Sequence, residues 1–321
     1  MKGDKIGNYF NGYMISVVIP VLNEEKGIKV NVDTIIKNIP CDYELIIVDD
    51  GSKDSTWSII REMSEKNKNI VGVRFSRNFG KEAALMAGLN VSKGDAVITM
   101  DSDLQHPPRY IPNMIKKWQE GYKVVEYKRK KRNKESFIYR TCANIFYGSL
   151  KKLSGLDMAN STDYKLLDRA VVDNICKFKE GQLFFRGIVD WVGFDKYVEE
   201  IDFDMREIGK SKFKFKSLSK LALNAITSFS SSILYLTAII GVLFFVCAVI
   251  LGIQTIVKKI MGLALEGFTT IILLQLIIGS LVMFCLAILG IYVGKIYEES
   301  KGRPQYIISE LTRKDWVWEG Y

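Results

Sequence analysis

Two stretches without a charged residue, Leu221 to Val257 and Gly267 to Gly294, set the last third of the chain apart from the rest. Each exceeds the roughly 20 apolar residues that a helix needs to cross a bilayer, and neither shows the polar stripe of a helix in a soluble bundle. The pattern predicts transmembrane helices over residues 233–257 and 269–293. Only Lys258 to Phe268 separates them, so they form an antiparallel hairpin with both ends on one side of the membrane.

Upstream the periodicity changes. Short β-rich runs (Ser16–Pro20, Tyr43–Asp49, Ile70–Phe75, Asp95–Met100) alternate with helical patterns near Glu24–Asn38, Ser55–Lys66, Lys81–Asn90 and Pro108–Glu120. Such alternation means βαβ units and a mostly parallel sheet, whose ligands sit beyond the carboxyl ends of the strands. Those ends carry Asn23-Glu24-Glu25, Asp49-Asp50-Gly51-Ser52 and Asp101-Ser102-Asp103, so acidic residues converge on one edge. The chain divides into a short tail (1–13), an α/β domain (14–205), a basic amphipathic segment suited to the membrane interface (206–232), the two spans, and a C-terminal tail (294–321).

Composition narrows the chemistry. The five Cys (41, 142, 176, 247, 285) have no ligand spacing, and His106 is the one histidine of 321 residues. A zinc site or a conventional Cys-His nucleophile is therefore excluded unless His106 serves alone, and any metal must be held mostly by oxygen. The formal net charge of +9 gathers in Lys128–Lys134 and Arg206–Lys220, both able to face anions. Basic flanks outnumber the two lysines of the connecting turn, which places the domain and both termini in the cytoplasm. Met1–Met14 lacks an apolar signal region, so no export is expected.

Asp49 and Asp50 end a strand that is apolar on both faces. Asp101 and Asp103 end another, with alternation placing both carboxylates on one side, a spacing that suits Mg²⁺ or Mn²⁺ with positions left for substrate phosphates. His106 reads equally as a solvent-facing residue before a proline-started helix or as a substrate contact. With neither GxxxxGK[ST] nor GxGxxG present, ATPases and dinucleotide oxidoreductases drop out. What remains is a nucleotide diphosphate held by carboxylates through a metal.

These segments, Ser16-Val-Val-Ile-Pro-Val-Leu-Asn-Glu-Glu25, Ile47-Val-Asp-Asp-Gly-Ser52, Ser76-Arg-Asn-Phe-Gly-Lys81 and Asp101-Ser-Asp-Leu-Gln-His-Pro-Pro108, resemble the family-2 glycosyltransferases. More narrowly, the chain is similar to the polyprenyl-phosphate group, the bactoprenol glucosyltransferases and relatives of dolichol-phosphate mannose synthase. The resemblance implies a GT-A type nucleotide-sugar-binding domain followed by two membrane helices. It implies that Pro20, Asn23 and Glu24 line the nucleoside pocket, that Asp50 contacts the uracil, and that Lys81 and Asp101 also serve the nucleotide. Asp101 and Asp103 would hold the metal, Asp103 more directly, with Gln105 beside the sugar. Ser161-Thr-Asp-Tyr-Lys-Leu-Leu-Asp-Arg169 resembles the family's G-D-F-R-L-[LM]-D-R, giving Asp163 the catalytic acidic position, although Thr162 replaces the usual glycine. Arg206-Glu-Ile-Gly-Lys-Ser-Lys-Phe213 resembles R-x-x-G-x-S-K-[YF]. Arg129, Arg132, Arg206 and Lys212 are matched to the acceptor phosphate.

The implied reaction is a single inverting displacement that moves a hexose from a UDP-sugar, glucose before N-acetylglucosamine, to polyprenyl phosphate at the cytoplasmic face of the cell membrane. Asp163 then positions the acceptor or the metal's surroundings first and acts as a base second. A processive synthase needs Q-x-x-R-W, which Gln182-Leu-Phe-Phe-Arg186-Gly187 does not match. A diacylglycerol-directed glycolipid synthase would not require two basic segments, and the intact acidic set argues against a catalytically dead interaction protein. No nucleic-acid partner is expected, and association of several hairpins into a homo-oligomer would shelter the lipid head.

Overall fold

The computed structural model describes residues 12–129, 161–178, 180, 184–201, parts of 240–261, and 267–313. The chain divides into two compact units, Met1–Ser217 with Pro304–Tyr321, and Leu218–Arg303. In the first unit the expected alternation is present: β1 (Met14–Val21), α1 (Ile28–Ile36), β2 (Asp42–Asp49), α2 (Thr56–Lys66), β3 (Ile70–Phe75), α3 (Lys81–Val91), β4 (Ala96–Thr99) and α4 (Ile111–Gln119). β5 (Val124–Arg129), β6 (Lys165–Asp168), α5 (Arg169–Ile175), α6 (Phe185–Trp191), β7 (Lys196–Ile201) and β8 (Ile308–Leu311) complete it. Helix α1 begins later than Glu24, because the Glu24 and Glu25 amides donate instead to Thr56 Oγ1 and Asp54 Oδ2 of the next loop.

The strands form one sheet in the order β7-β5-β6-β4-β1-β2-β3-β8. β1 pairs in parallel with both β2 and β4, so the chain reverses its direction of travel across the sheet between β1 and β4. That is the topological switch point, where the loops at the carboxyl ends part and leave a crevice. Its strands are buried on both faces: Val17, Val18, Ile19, Leu45, Ile46, Ile47, Val48, Val97 and Ile98 expose nothing to solvent.

β6 is antiparallel to β4 and to β5, whereas β5 and β7 are parallel to each other. β5 and β7 therefore run with β1 to β4. One transverse row passes through Val18, Thr99, Lys165, Glu126 and Val198. Beyond that row, towards the carboxyl edge, lie the loop after β1, the Asp101–Asp103 turn, Asp163 and the end of β5 at Arg129. The register itself is pinned by charge. Glu126 and Lys165 face each other across β5 and β6, fully buried and 2.7 Å apart, and one residue of slippage would strand both charges.

The segment expected as a C-terminal tail is instead part of this sheet. β8 pairs antiparallel with β3, and Glu310 receives hydrogen bonds from Trp57 Nε1, Arg61 and Arg74 at 2.8–3.0 Å. An edge strand with one neighbour gains little from its ladder alone, and these side-chain bonds hold it to α2 and β3.

In the second unit, α7 spans Phe268–Ser300, longer than the predicted 269–293. Its Ile277–Ser300 portion is long and apolar enough to cross a membrane, and Met283, Phe284, Leu286 and Val293 are more than half exposed. The described residues between 240 and 260 are also helical, but the first predicted span, 233–257, lies largely outside the described residues, as does the 206–232 segment.

Helix α3 is buried along nearly its whole length, with Ala83, Ala84, Ala87 and Gly88 allowing a close approach to the sheet. A Cβ at Gly88 would lie 2.2 Å from Val18 Cγ1. Gly88→Ala is therefore expected to destabilise the protein by about 1–3 kcal/mol through overpacking, measurable as a lower denaturation midpoint of the full chain in detergent.

Candidate active site

The loops after β1 and β2 are stitched together. The Asn23 amide donates to Ser52 Oγ and the Lys53 amide donates to Asn23 Oδ1, each at 2.9 Å. Asn23 itself has φ 53°, a left-handed conformation that asparagine tolerates better than most residues. Pro20 and Glu24 flank this turn, Pro20 buried at the end of β1 and Glu24 half-buried.

Asp50 is turned towards the next loop. Its Oδ1 accepts from the Phe79 amide at 2.6 Å, and both oxygens accept from the Gly80 amide. Burial raises its carboxyl above the ordinary range while these amides oppose the shift. Gly51 (φ 71°) permits the contact, since a Cβ there would lie 2.5 Å from the Arg77 carbonyl carbon. Asp50 thus fixes the segment that delivers Lys81.

The Asp101–Asp103 turn is built from several sides. Asn31 Nδ2 donates to the Ser102 carbonyl at 2.7 Å, the Gln105 amide donates to Asp103 Oδ1, and Leu104 is forced to φ 56°. A non-glycine residue so placed costs about 1–2 kcal/mol, a strain kept where carboxylates must be aimed. His106 is buried rather than solvent-facing: its Nδ1 accepts from the Asp101 amide at 3.0 Å and its ring stacks on Tyr164. Burial lowers the imidazole's pKa, so it supports the turn as a neutral ring.

Asp163 sits just before β6, where Thr99 Oγ1 donates to its carbonyl. Arg186, at the start of α6, forks onto its carboxylate at 2.7 and 3.0 Å and also donates to the Ser161 carbonyl. Lys81 Nζ lies 2.7 Å from Asp163 Oδ2 and 2.5 Å from Asp101 Oδ1. Burial alone would raise the Asp163 carboxyl, but Lys81 and Arg186 hold it far below the usual carboxylate range. Desolvation of its ammonium beside the aspartates would lower Lys81, but the same two aspartates hold it above its ordinary value. Ser161 extends the set inward, its Oγ donating to the buried Glu126 at 2.6 Å.

Pro20, Asn23, Glu24, Asp50, Lys81, Asp101, Asp103, Gln105 and Asp163 therefore all fall at the carboxyl edge around the switch point. Arg129 reaches the same edge at the end of β5, whereas Arg132, Arg206 and Lys212 lie outside the described residues. Arg186 and Glu82 are additions. Arg186 had no clear signal in the sequence, being a lone arginine after Phe184-Phe185 in a segment that matches no motif. Glu82 had none either, being one more acid in a helical first turn.

Asp101 and Asp103 fit a divalent cation by their chemistry, two hard carboxylates two residues apart on one braced turn. Among the described residues no group of three or more His, Cys, Asp or Glu is placed to hold a metal ion. A cation held by these two carboxylates would need further oxygen ligands from elsewhere, as Mg²⁺ or Mn²⁺ accept from substrate phosphates and water.

Residues 16–179 match the family model described as glycosyl transferase family 2. Similar curated proteins include the bactoprenol glucosyl transferase of Shigella phage SfV, 39% identical over 94% of this chain and 99% of that protein. The prophage bactoprenol glucosyl transferase homolog of Escherichia coli (strain K12) is 38% identical over 93% and 99% of the two chains. The uncharacterized glycosyltransferase YkcC of Bacillus subtilis (strain 168) is 37% identical over 92% and 93%. Among solved structures, glucosyl-3-phosphoglycerate synthase of Mycobacterium tuberculosis aligns with a TM-score of 0.49 at 22% identity, covering 71% of this chain and 82% of that one.

Glu82 offers a test of the site's electrostatics. Its Oε2 accepts from the Phe185 amide at 2.8 Å, which fixes the start of α6 and hence Arg186. Burial, then the neighbouring Asp163, push its carboxyl up from 4.5 to about 7. A carboxyl raised on folding contributes stability that is full below its unfolded value and is lost as pH rises through the folded one. The apparent Tm of the full chain in detergent should accordingly fall between about pH 5 and pH 8. Glu82→Gln keeps an acceptor for Phe185 and should flatten part of that slope, by several degrees at about 2–4 °C per kcal/mol. Identical slopes would assign the decline to other groups.

Proposed function

The chain belongs to glycosyl transferase family 2, and from that premise we propose that it moves a hexose, glucose first, from a UDP-sugar to the phosphate of a membrane polyprenol. Support for the acceptor and the sugar comes from relatives aligned nearly end to end and named bactoprenol glucosyl transferase. The observation that carries the reading is the double clamp on Asp163. A carboxylate held by a bidentate arginine and a lysine is a poor proton acceptor, so a site built around it favours an acceptor that arrives already ionised. A phosphate monoester, whose second pKa is near 6, does so at neutral pH. A sugar or lipid hydroxyl does not.

In the mechanism this implies, Asn23 and Glu24 line the nucleoside side, and Asp50 keeps Lys81 on the diphosphate side. Asp101 and Asp103 would hold Mg²⁺ or Mn²⁺, which when bound supplies Lewis-acid stabilisation of charge on the leaving diphosphate. Gln105 lies next to the sugar, and Arg186 holds Asp163 in place. Arg129, with Arg132, Arg206 and Lys212, supplies cations for the acceptor phosphate. No side chain is assigned a covalent intermediate, so the displacement is single and inverts the anomeric centre.

Connectivity supports the membrane topology. Residues 218–303 leave one folded domain and return to the same domain, whose β8 lies in its sheet. A segment that begins and ends on one side crosses the bilayer an even number of times, which favours two spans over one. Lys295, Lys301, Arg303 and Arg313 after α7 then place the domain in the cytoplasm by their charge.

Membranes carrying the protein should transfer labelled glucose from UDP-glucose to undecaprenyl phosphate and not to undecaprenol at any pH. Transfer to the unphosphorylated alcohol would show that the site holds a working base, and transfer to neither would overturn the acceptor reading. Asp163→Asn should lower turnover by about 100-fold or more, since it leaves Lys81 and Arg186 without their shared anion. Asp103→Asn or chelation by EDTA should abolish it. Full activity in excess EDTA would remove the metal from the scheme.

A further inference from the structure

Among the described residues, Lys81 is the one side chain that touches both Asp101 and Asp163. Its backbone cannot drift, because Asp50 holds the Phe79 and Gly80 amides before it and α3 is seated against Val18 behind it. Its side chain is 40% exposed, so the stem that carries the ammonium is not packed in on all sides. The two aspartates do not depend on it equally. Asp163 keeps the Arg186 fork, whereas among the described residues Asp101 has, besides Lys81, the ring of His106 in contact at 3.8 Å.

We propose that Lys81 is a positioning residue that occupies Asp101 until a nucleoside diphosphate arrives, and so makes divalent-metal binding conditional on the nucleotide. This rests on the reading of Asp101 and Asp103 as holders of the cation. A cation entering at Asp101 meets an ammonium already bound to the same carboxylate, and like charges a few ångströms apart repel strongly. A diphosphate offers the ammonium another anion, and lysine, a point charge with freely rotating bonds, can change partners without disturbing α3. Metal and nucleotide then bind with positive coupling, and the coupling is reciprocal.

The test uses full-length protein in detergent, with Mn²⁺ followed by the electron paramagnetic resonance signal of the free ion, with and without UDP. In the wild type, Mn²⁺ alone should bind weakly and UDP should tighten it. Lys81→Met should tighten Mn²⁺ alone by about tenfold, shrink the gain given by UDP to match, and slow transfer. Lys81→Arg keeps the charge and should stay within about twofold of wild type in Mn²⁺ affinity. A merely structural lysine gives no route to tighter metal binding on its removal. If Lys81→Met leaves the affinity for Mn²⁺ alone unchanged or weaker while Asp103→Asn abolishes it, the metal site stands and the role of Lys81 is overturned. If neither wild type nor Lys81→Met binds Mn²⁺ with or without UDP, the metal reading fails and the proposal fails with it.

Discussion

Two carboxylates, Asp101 and Asp163, are held close enough to share one ammonium. Bringing such charges together in a buried place is costly unless cations come with them, and much of the domain's construction is the delivery of those cations. Lys81 arrives on a helix made of small residues that presses against β1. Arg186 arrives on α6, whose first amide is held by Glu82 and whose guanidinium also grips the Ser161 carbonyl. Ser161 is tied to Glu126, and Glu126 to Lys165 in the facing strand. Despite burial, Lys165 and the Ser161 hydroxyl hold the Glu126 carboxyl down at about 2. The charge at the active edge is thus supported by a second layer of charge inside the sheet.

That second layer explains which parts of the fold were legible. β1 to β4 announce themselves, because a parallel strand covered on both faces reads as an unbroken run of Val, Ile and Leu, and the turns after them carry the acids. β5 to β7 do not. Val-Val-Glu-Tyr-Lys-Arg at 124–129 and Lys-Leu-Leu-Asp at 165–168 place charges at positions that are buried in the fold, and a buried Glu or Lys looks like a surface residue until its cross-strand partner is known. The long charged run beginning at Lys128 masked the end of β5 in the same way.

The acidic site residues were legible for a reason that does not extend to their partners. A carboxylate at the end of a buried strand needs only its own strand to be placed. Arg186 needs α6, the β6 register and Asp163 all at once, and nothing in residues 182–187 specifies that convergence. His106, which read equally as solvent-facing or as a substrate contact, shows the same limit: the sequence did not reveal that its ring packs beneath Asp101 and against Tyr164.

The C-terminal strand joins the apolar unit to this chemistry through the chain itself. Tyr306, six residues after the end of α7, stacks on Phe75 at 5.1 Å, and its hydroxyl accepts from Asn90 near the end of α3. Phe75 in turn meets Phe79 edge-on, and the Ser76 amide donates to the Ile307 carbonyl. The segment that follows α7 therefore braces β3, the Ser76–Gly80 loop and the far end of α3, which are the three supports of Lys81. Were this segment a free tail, the loop would lose its backbone bond at Ser76 and the Tyr306 stack on Phe75. Its return to the sheet is thus more than an edge strand closing a fold: the same residues that bring the chain back from the apolar helix hold the loop from which the site's shared cation extends.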